Sequence, residues 1–191
     1  AKDARVSQNA IGVNSTAFTS FVLTPGLMAW DYYRGIPGTD IGSLQGDSQF
    51  PAGVWTSRLL PSFSSMPVTI GGNLNNNPEF GPLGDNYGAR VYGYLTPTES
   101  GNYHFFLRSD DASELLISTD TNPANAGVIA FETACCEGFK EPGTGDETSQ
   151  TVSLVAGQSY YIEALYKEGG GGDHLAVGWE LPDKTLERPI A

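Results

Sequence analysis

Two short stretches of this chain carry residue types that could do chemistry, and both are oxygen-rich. The first is Leu107-Arg108-Ser109-Asp110-Asp111-Ala112-Ser113, where two acidic residues stand side by side between apolar runs. In an extended trans chain, successive side chains point to opposite faces, so the two carboxylates would serve different surfaces. A cis bond or a kink between them would turn both toward one cation. Taken alone, Asp-Asp between two strands reads first as a polar turn, because Asp turns the backbone with its own side chain. The second stretch is Gly169-Gly170-Gly171-Gly172-Asp173-His174, which interrupts two strong strand patterns. Four glycines make either a slack hairpin loop or a place where the backbone must approach something closely. Carboxylates and carbonyls are the donors that calcium takes, roughly 6–8 of them at loose geometry. Asp110, Asp111 and Asp173 could supply side-chain oxygens, and Gly169 and Gly171 alternate carbonyls.

The two stretches can meet only if the strands carrying them are neighbours. The pattern predicts strands over 27–33, 87–95, 103–107, 113–118, 127–131, 150–155, 160–166 and 174–181, with turns such as Ala156-Gly157 between them. Tyr160 to Tyr166 alternates as a half-buried strand does. With 24 Gly and 12 Pro among 191 residues and no long apolar period of 3.6, the fold class expected is all-β: an antiparallel β-sandwich with long loops at one end. The chain is expected to form a single domain over 1–191, with residues 1–25 a peripheral extension in which Phe18, Phe21, Val22 and Leu23 could form a strand. Residues 34–86 read as irregular, with Trp55, Leu59, Leu60 and Phe63 pinning them to the core.

Charge narrows the partners. The net charge is −12, with 10 Lys+Arg against 22 Asp+Glu. Nucleic acid calls for a basic patch, and anionic membrane surfaces call for the same; neither is expected here. Solubility alone explains most of the excess carboxylates. The only two cysteines are neighbours, Cys135-Cys136, a spacing that fits neither a metal site nor Cys-x-x-Cys. Neighbouring cysteines are more commonly two free thiols; the alternative is a ring disulfide, a compact apolar plate in the 133–149 loop. No Gly-x-Ser-x-Gly elbow and no His-Glu-x-x-His motif occurs. Adjacent carboxylates also cannot be the separated acid and base of a glycosidase, roughly 5–9.5 Å apart. The chain is therefore expected not to be an enzyme.

Longer blocks carry a resemblance. Thr98-Glu99-Ser100-Gly101-Asn102-Tyr103-His104-Phe105-Phe106-Leu107-Arg108-Ser109-Asp110-Asp111-Ala112-Ser113-Glu114-Leu115 resembles the central signature of the anthrax protective-antigen N-terminal domain family. Gln158 to Gly172, followed by Leu175-Ala176-Val177-Gly178-Trp179, is similar to its C-terminal signature, and Gly26 to Tyr33 to its opening strand. The resemblance spans about residues 26–181. It implies an extracellular β-sandwich module. Its flocculin and epithelial-adhesin branch implies a calcium-dependent lectin, in which a cis-linked Asp-Asp pair holds an ion that grips two vicinal sugar hydroxyls. On that footing Asp110 and Asp111 would serve both Ca2+ and sugar. No Asn stands in the 169–173 segment, so only the second loop's role carries over; Gly169, Gly171 and Asp173 are assigned from their own chemistry. His174, Cys135 and Cys136 are expected on the sugar side, although an exposed loop residue would explain His174 equally well. The expected partners are cell-surface glycans or small saccharides of the fucose, mannose or glucose type, bound by the adhesion domain of a larger extracellular chain without membrane insertion. A carbohydrate-binding module of a secreted glycosidase and a structural or protein-interaction module stand as alternatives.

Overall fold

The computed structural model describes residues 26–65, 85–133, 135, 138–140 and 143–191. The strand read from Phe18 to Leu23, the 1–25 extension and Cys136 lie outside the described residues. Ten strands follow in chain order. They are β1 Met28–Arg34, β2 Thr56–Leu60, β3 Tyr87–Leu95, β4 Gly101–Asp110, β5 Ser113–Ile117, β6 Gly127–Glu132, β7 Val152–Leu154, β8 Tyr160–Glu168, β9 His174–Glu180 and β10 Leu186–Glu187. A short helix, α1, spans Ile41–Gln45, and a 3-10 turn spans Pro123–Asn125. All pairings are antiparallel, in a six-stranded sheet ordered β2-β1-β3-β8-β5-β6 and a four-stranded sheet ordered β10-β9-β4-β7. This is the all-β antiparallel sandwich that the alternation predicts.

The core follows from period-2 patterning. Tyr103, Phe105 and Leu107 of β4 and Leu175, Val177 and Trp179 of β9 meet Tyr160, Ile162, Ala164 and Tyr166 of β8, Ala89 and Val91 of β3, and Trp30 and Tyr32 of β1. Burying one large apolar side chain contributes about 1.5–3 kcal/mol, so this row of aromatic and aliphatic side chains dominates cohesion.

Residues 34–65 are more ordered than their composition implies. Asp40 caps α1 by accepting the Ser43 N–H at 2.9 Å, and Ile41 and Leu44 pack on Tyr33 and Leu165 of the outer sheet face. Gly88 makes room for this helix, since a Cβ there would lie 2.4 Å from Leu44 Cδ1. β2 forms because Thr56–Leu60 finds a free edge on β1. Leu60 and Phe63 are buried as expected, but Trp55 is 50% exposed. It stands just before that edge strand, held by Tyr32 at 5.8 Å and the Arg34 guanidinium at 5.3 Å from its ring.

Topology brings the two chemical stretches together. β4 pairs with β9 in one sheet, with Asp110 opposite His174, and β5 pairs with β8 in the other, with Ser113 opposite Tyr166. The β4–β5 and β8–β9 connections therefore both cross between the sheets, side by side, at the same end of the sandwich.

Candidate functional site

The Asp110–Asp111 peptide bond is cis, as the sequence led us to expect. A carboxylate oxygen of Asp110, one of Asp111 and the Cys135 sulfur all lie within 4.8 Å of one another. Asp111 is braced from across the gap: its Oδ2 accepts the Gly169 N–H at 2.9 Å. The Gly169 carbonyl accepts from the Asn86 N–H at 3.1 Å. Gly169 thus works as a clip between two segments, its N–H on Asp111 and its carbonyl accepting from Asn86. A side chain there has no space: a Cβ would sit 2.6 Å from Thr39 Cγ2 and 3.3 Å from both Asp111 Oδ2 and the Gly38 carbonyl. Gly171 adopts φ +119 with nothing within 4 Å of a would-be Cβ. It meets no side chain, and its conformation is one that favours glycine. Asp173 takes the Tyr87 hydroxyl on Oδ2 at 3.0 Å, leaving its other oxygen for a ligand.

The residue that sequence reading missed is Glu168. The inward row of β8 continues past Tyr166 to this position, so its carboxylate points between the sheets and is 1% exposed. Oε2 receives the Tyr166 hydroxyl at 3.0 Å, a hydroxyl that also reaches the Asp110 carbonyl. Oε1 is buried with no hydrogen-bond partner among the described residues. Burial first, then the charges of Asp111, Asp173 and Asp110, push Glu168 up to about 7. Burial and the neighbouring Asp111 and Asp173 raise Asp110 as well, and burial and Asp85 raise Asp173 against the lowering effect of Tyr87. Four carboxylates crowd one end of the sandwich. The cost of leaving a buried charged oxygen unpaired is at least about 1–3 kcal/mol, and a cation among them would remove it. The clue in the sequence was the alternation itself: Tyr160, Ile162, Ala164 and Tyr166 face inward, and 168 is the next term.

A countercharge, Lys167, is internal and lies on the other face of β8. Lys167 is 0% exposed, and its ammonium donates to the Gly38 and Glu168 carbonyls, each at 2.6 Å.

His174 is not the exposed loop residue that its neighbours in sequence imply. It opens β9, is 3% exposed, and its Nε2 is buried without a partner among the described residues. Burial, with Arg108 alongside, lowers its pKa to about 4, so it is neutral in ordinary buffers. It stands behind the carboxylate pair, opposite Asp110 in the ladder. Cys135 is disulfide-bonded and exposed, and the chain holds one other cysteine, its neighbour. The ring-disulfide alternative therefore displaces the two-free-thiol expectation. A disulfide sulfur is not a thiolate ligand, so Cys135 lines the carboxylate pair without joining a metal's donor set.

An antiparallel sandwich carrying a carboxylate cluster between two paired crossings defines a class, and the comparisons give it a family. The chain belongs to the PA14 domain family, whose model matches residues 72–191. It is 38% identical over 113 residues to N-acetyl-beta-glucosaminyl-glycoprotein 4-beta-N-acetylgalactosaminyltransferase 1 of Mus musculus, a match taking in 56% of this chain and 11% of that protein. It is 30% identical over 84 residues to Fibrocystin-L of Mus musculus, covering 44% of this chain and 2% of that protein. Among solved structures, the fold resembles the PA14 sugar-binding domain from an RTX adhesin, with TM-score 0.58 and 15% identity over 85% of this chain and 94% of that one. It also resembles the Epithelial Adhesin 9 A domain from Candida glabrata, solved in complex with Galb1-4GlcNAc, with TM-score 0.56 and 16% identity over 86% of this chain and 88% of that one. At these identities the structural likeness is one of fold.

Proposed function

We propose that this chain is a calcium-dependent carbohydrate-binding module, a lectin-type domain without catalytic activity. The observation that carries this reading is the convergence of Asp110 and Asp111 oxygens within 4.8 Å, with Glu168 linked to Asp110 through the Tyr166 hydroxyl and keeping one buried oxygen without a partner among the described residues. Asp110, Asp111 and Glu168 would hold the ion by their side chains, with the free oxygen of Asp173 and the Gly171 carbonyl from the facing loop. All are oxygen donors, which suits calcium. The ion would supply open coordination positions to two vicinal hydroxyls of a neutral sugar. The protein's own part is to hold the acceptors still. Gly169 fixes Asp111, Tyr166 and Tyr87 fix Glu168 and Asp173, and the carboxylates accept hydrogen bonds from the same hydroxyls. Cys135 gives the pair an apolar flank against which a sugar face can rest.

The sugar class supported by this chemistry is one with vicinal diols, of the mannose, fucose or glucose type, displayed on cell surfaces. The structural relatives of adhesin type support an extracellular adhesion role in a larger chain. The small share of the curated relatives that this chain matches also favours a portable binding module, such as the non-catalytic part of a secreted glycosidase. No helix of the described residues is long and apolar enough to cross a membrane.

A calcium titration followed by thermal melting, with a glycan array run in calcium and in chelator, tests the reading. The expected result is a calcium-dependent rise in melting temperature and calcium-dependent glycan retention, both lost in Asp110→Asn. A melting curve that calcium does not move would overturn the cation site, and calcium stabilisation without any retained glycan would leave a structural module.

A further inference from the structure

Lys167 lies on the outer side of β8, under the segment that leads into α1. A fully buried lysine is uncommon without a partner, and this one spans two: the carbonyl of Glu168 in its own strand and the carbonyl of Gly38, 129 positions away. Gly38 adopts φ +100, and a Cβ there would lie 2.4 Å from Ser43 Oγ. Asp40, two residues on, is tied to the Ser43 N–H at 2.9 Å and to its hydroxyl at 2.7 Å. Thr39 is therefore held between two pinned neighbours, yet it is itself exposed. Its Cγ2 lies 2.6 Å, and Asp111 Oδ2 3.3 Å, from the point a Gly169 Cβ would occupy. The Thr39 methyl is thus within about 6 Å of the carboxylate that would face the ligand.

We propose that the Gly38–Asp40 segment, strapped to β8 by Lys167, is a wall of the saccharide site, and that Thr39 on it is a specificity-determining residue. This rests on the carbohydrate-binding function proposed above. The wall differs in chemistry from the Cys135 disulfide, which also stands beside the carboxylate pair. Thr39 presents a methyl and a hydroxyl on a short, β-branched side chain that is stiff at χ1. A ring substituent directed at it meets a fixed surface, so it discriminates between diol-bearing sugars that the ion alone would hold equally. Lys167 acts as a positioning residue, since its ammonium spends its hydrogen bonds on two protein carbonyls.

The test uses the full 191-residue chain and three probes, the methyl glycosides of mannose, fucose and glucose, titrated calorimetrically at saturating calcium. Thr39→Ala and Thr39→Trp are expected to keep the calcium dissociation constant within about twofold. They should change the ratio of affinities among the three glycosides by about tenfold, the low end for a group of methyl size in a binding pocket. Lys167→Met is expected to shift the same ratio, because the wall moves; a lysine that only stabilises the fold would lower the melting temperature and leave the ratio alone. Should Lys167→Met fail to fold, the Thr39 pair decides. Unchanged ratios in both Thr39 variants of a sugar-binding parent overturn this inference alone. A parent that binds calcium but none of the three glycosides overturns it together with the function it rests on.

Discussion

Replacing Glu168 by Gln keeps shape and removes one charge, and the structure requires the change to raise stability in chelator while shrinking the gain that calcium brings. In chelator, the buried carboxylate faces Asp110, Asp111 and Asp173 with one oxygen unpaired among the described residues. Relieving a buried charge of that kind is worth about 1–3 kcal/mol. For a chain of this size each kcal/mol moves the melting temperature by about 2–4 °C, so the variant is expected to melt several degrees above the parent. In calcium that advantage is offset. A ligand at 100 times its dissociation constant stabilises the parent by about 2.7 kcal/mol. Losing one charged contact, worth about 2 kcal/mol, weakens calcium binding roughly 30-fold. The variant then sees only about three times its own constant and gains about 0.8 kcal/mol. Melting curves of both proteins in chelator and across a calcium titration read the two effects separately. A Gln variant that is less stable than the parent in chelator, and that rises as far with calcium, would refute the placement of Glu168 against the cation.

Two further outcomes follow from the same geometry. Gly169→Ala puts a Cβ 2.6 Å from Thr39 Cγ2 and 3.3 Å from Asp111 Oδ2; overpacking of this kind costs about 1–3 kcal/mol, so the melting temperature should fall by several degrees and calcium binding should weaken, both read by the same titration. Reducing the Cys135 disulfide with a phosphine is expected to weaken glycan retention on the array while leaving the calcium-induced melting shift in place, because the sulfur flanks the carboxylates without ligating; loss of the calcium shift on reduction would show that the disulfide holds the carboxylate pair itself.

Much of this architecture was legible in the chain because strands with one buried face write their period into the residues. Tyr87–Leu95 was read with the bounds it has, and the cis Asp110–Asp111 pair was anticipated from the family resemblance and the Gly169–Asp173 loop, since the dipeptide alone reads as a turn. What escaped depends on partners distant in sequence. α1 is a short capped helix supported by partners from several segments, Tyr33, Leu165 and Ala112 among them, and five residues give too little period to see. β2 exists because β1 offers an edge. His174 looked exposed beside four glycines, but the strand begins with it, and its cross-strand position beside Asp110 and near Arg108 buries it. The hydrogen bond that the Gly169 carbonyl accepts comes from Asn86, a residue 83 positions earlier, which no local pattern announces.

The placement of the site follows from how the two sheets are joined. A strand that crosses from one sheet to the other must carry its backbone over the open end of the core, where the inward row of side chains runs out. In β8 the last inward position is a carboxylate, not an apolar residue, and in the neighbouring β4–β5 crossing two more stand together. An acidic plug costs stability where an apolar one would add it, so its presence at the end of an otherwise aromatic row argues for a ligand that neutralises it. The tyrosines beneath, Tyr87 and Tyr166, are buried core residues whose hydroxyls reach upward to Asp173 and Glu168. The core thereby orients the carboxylates, and the same side chains that close the sandwich hold the groups that would grip the ion.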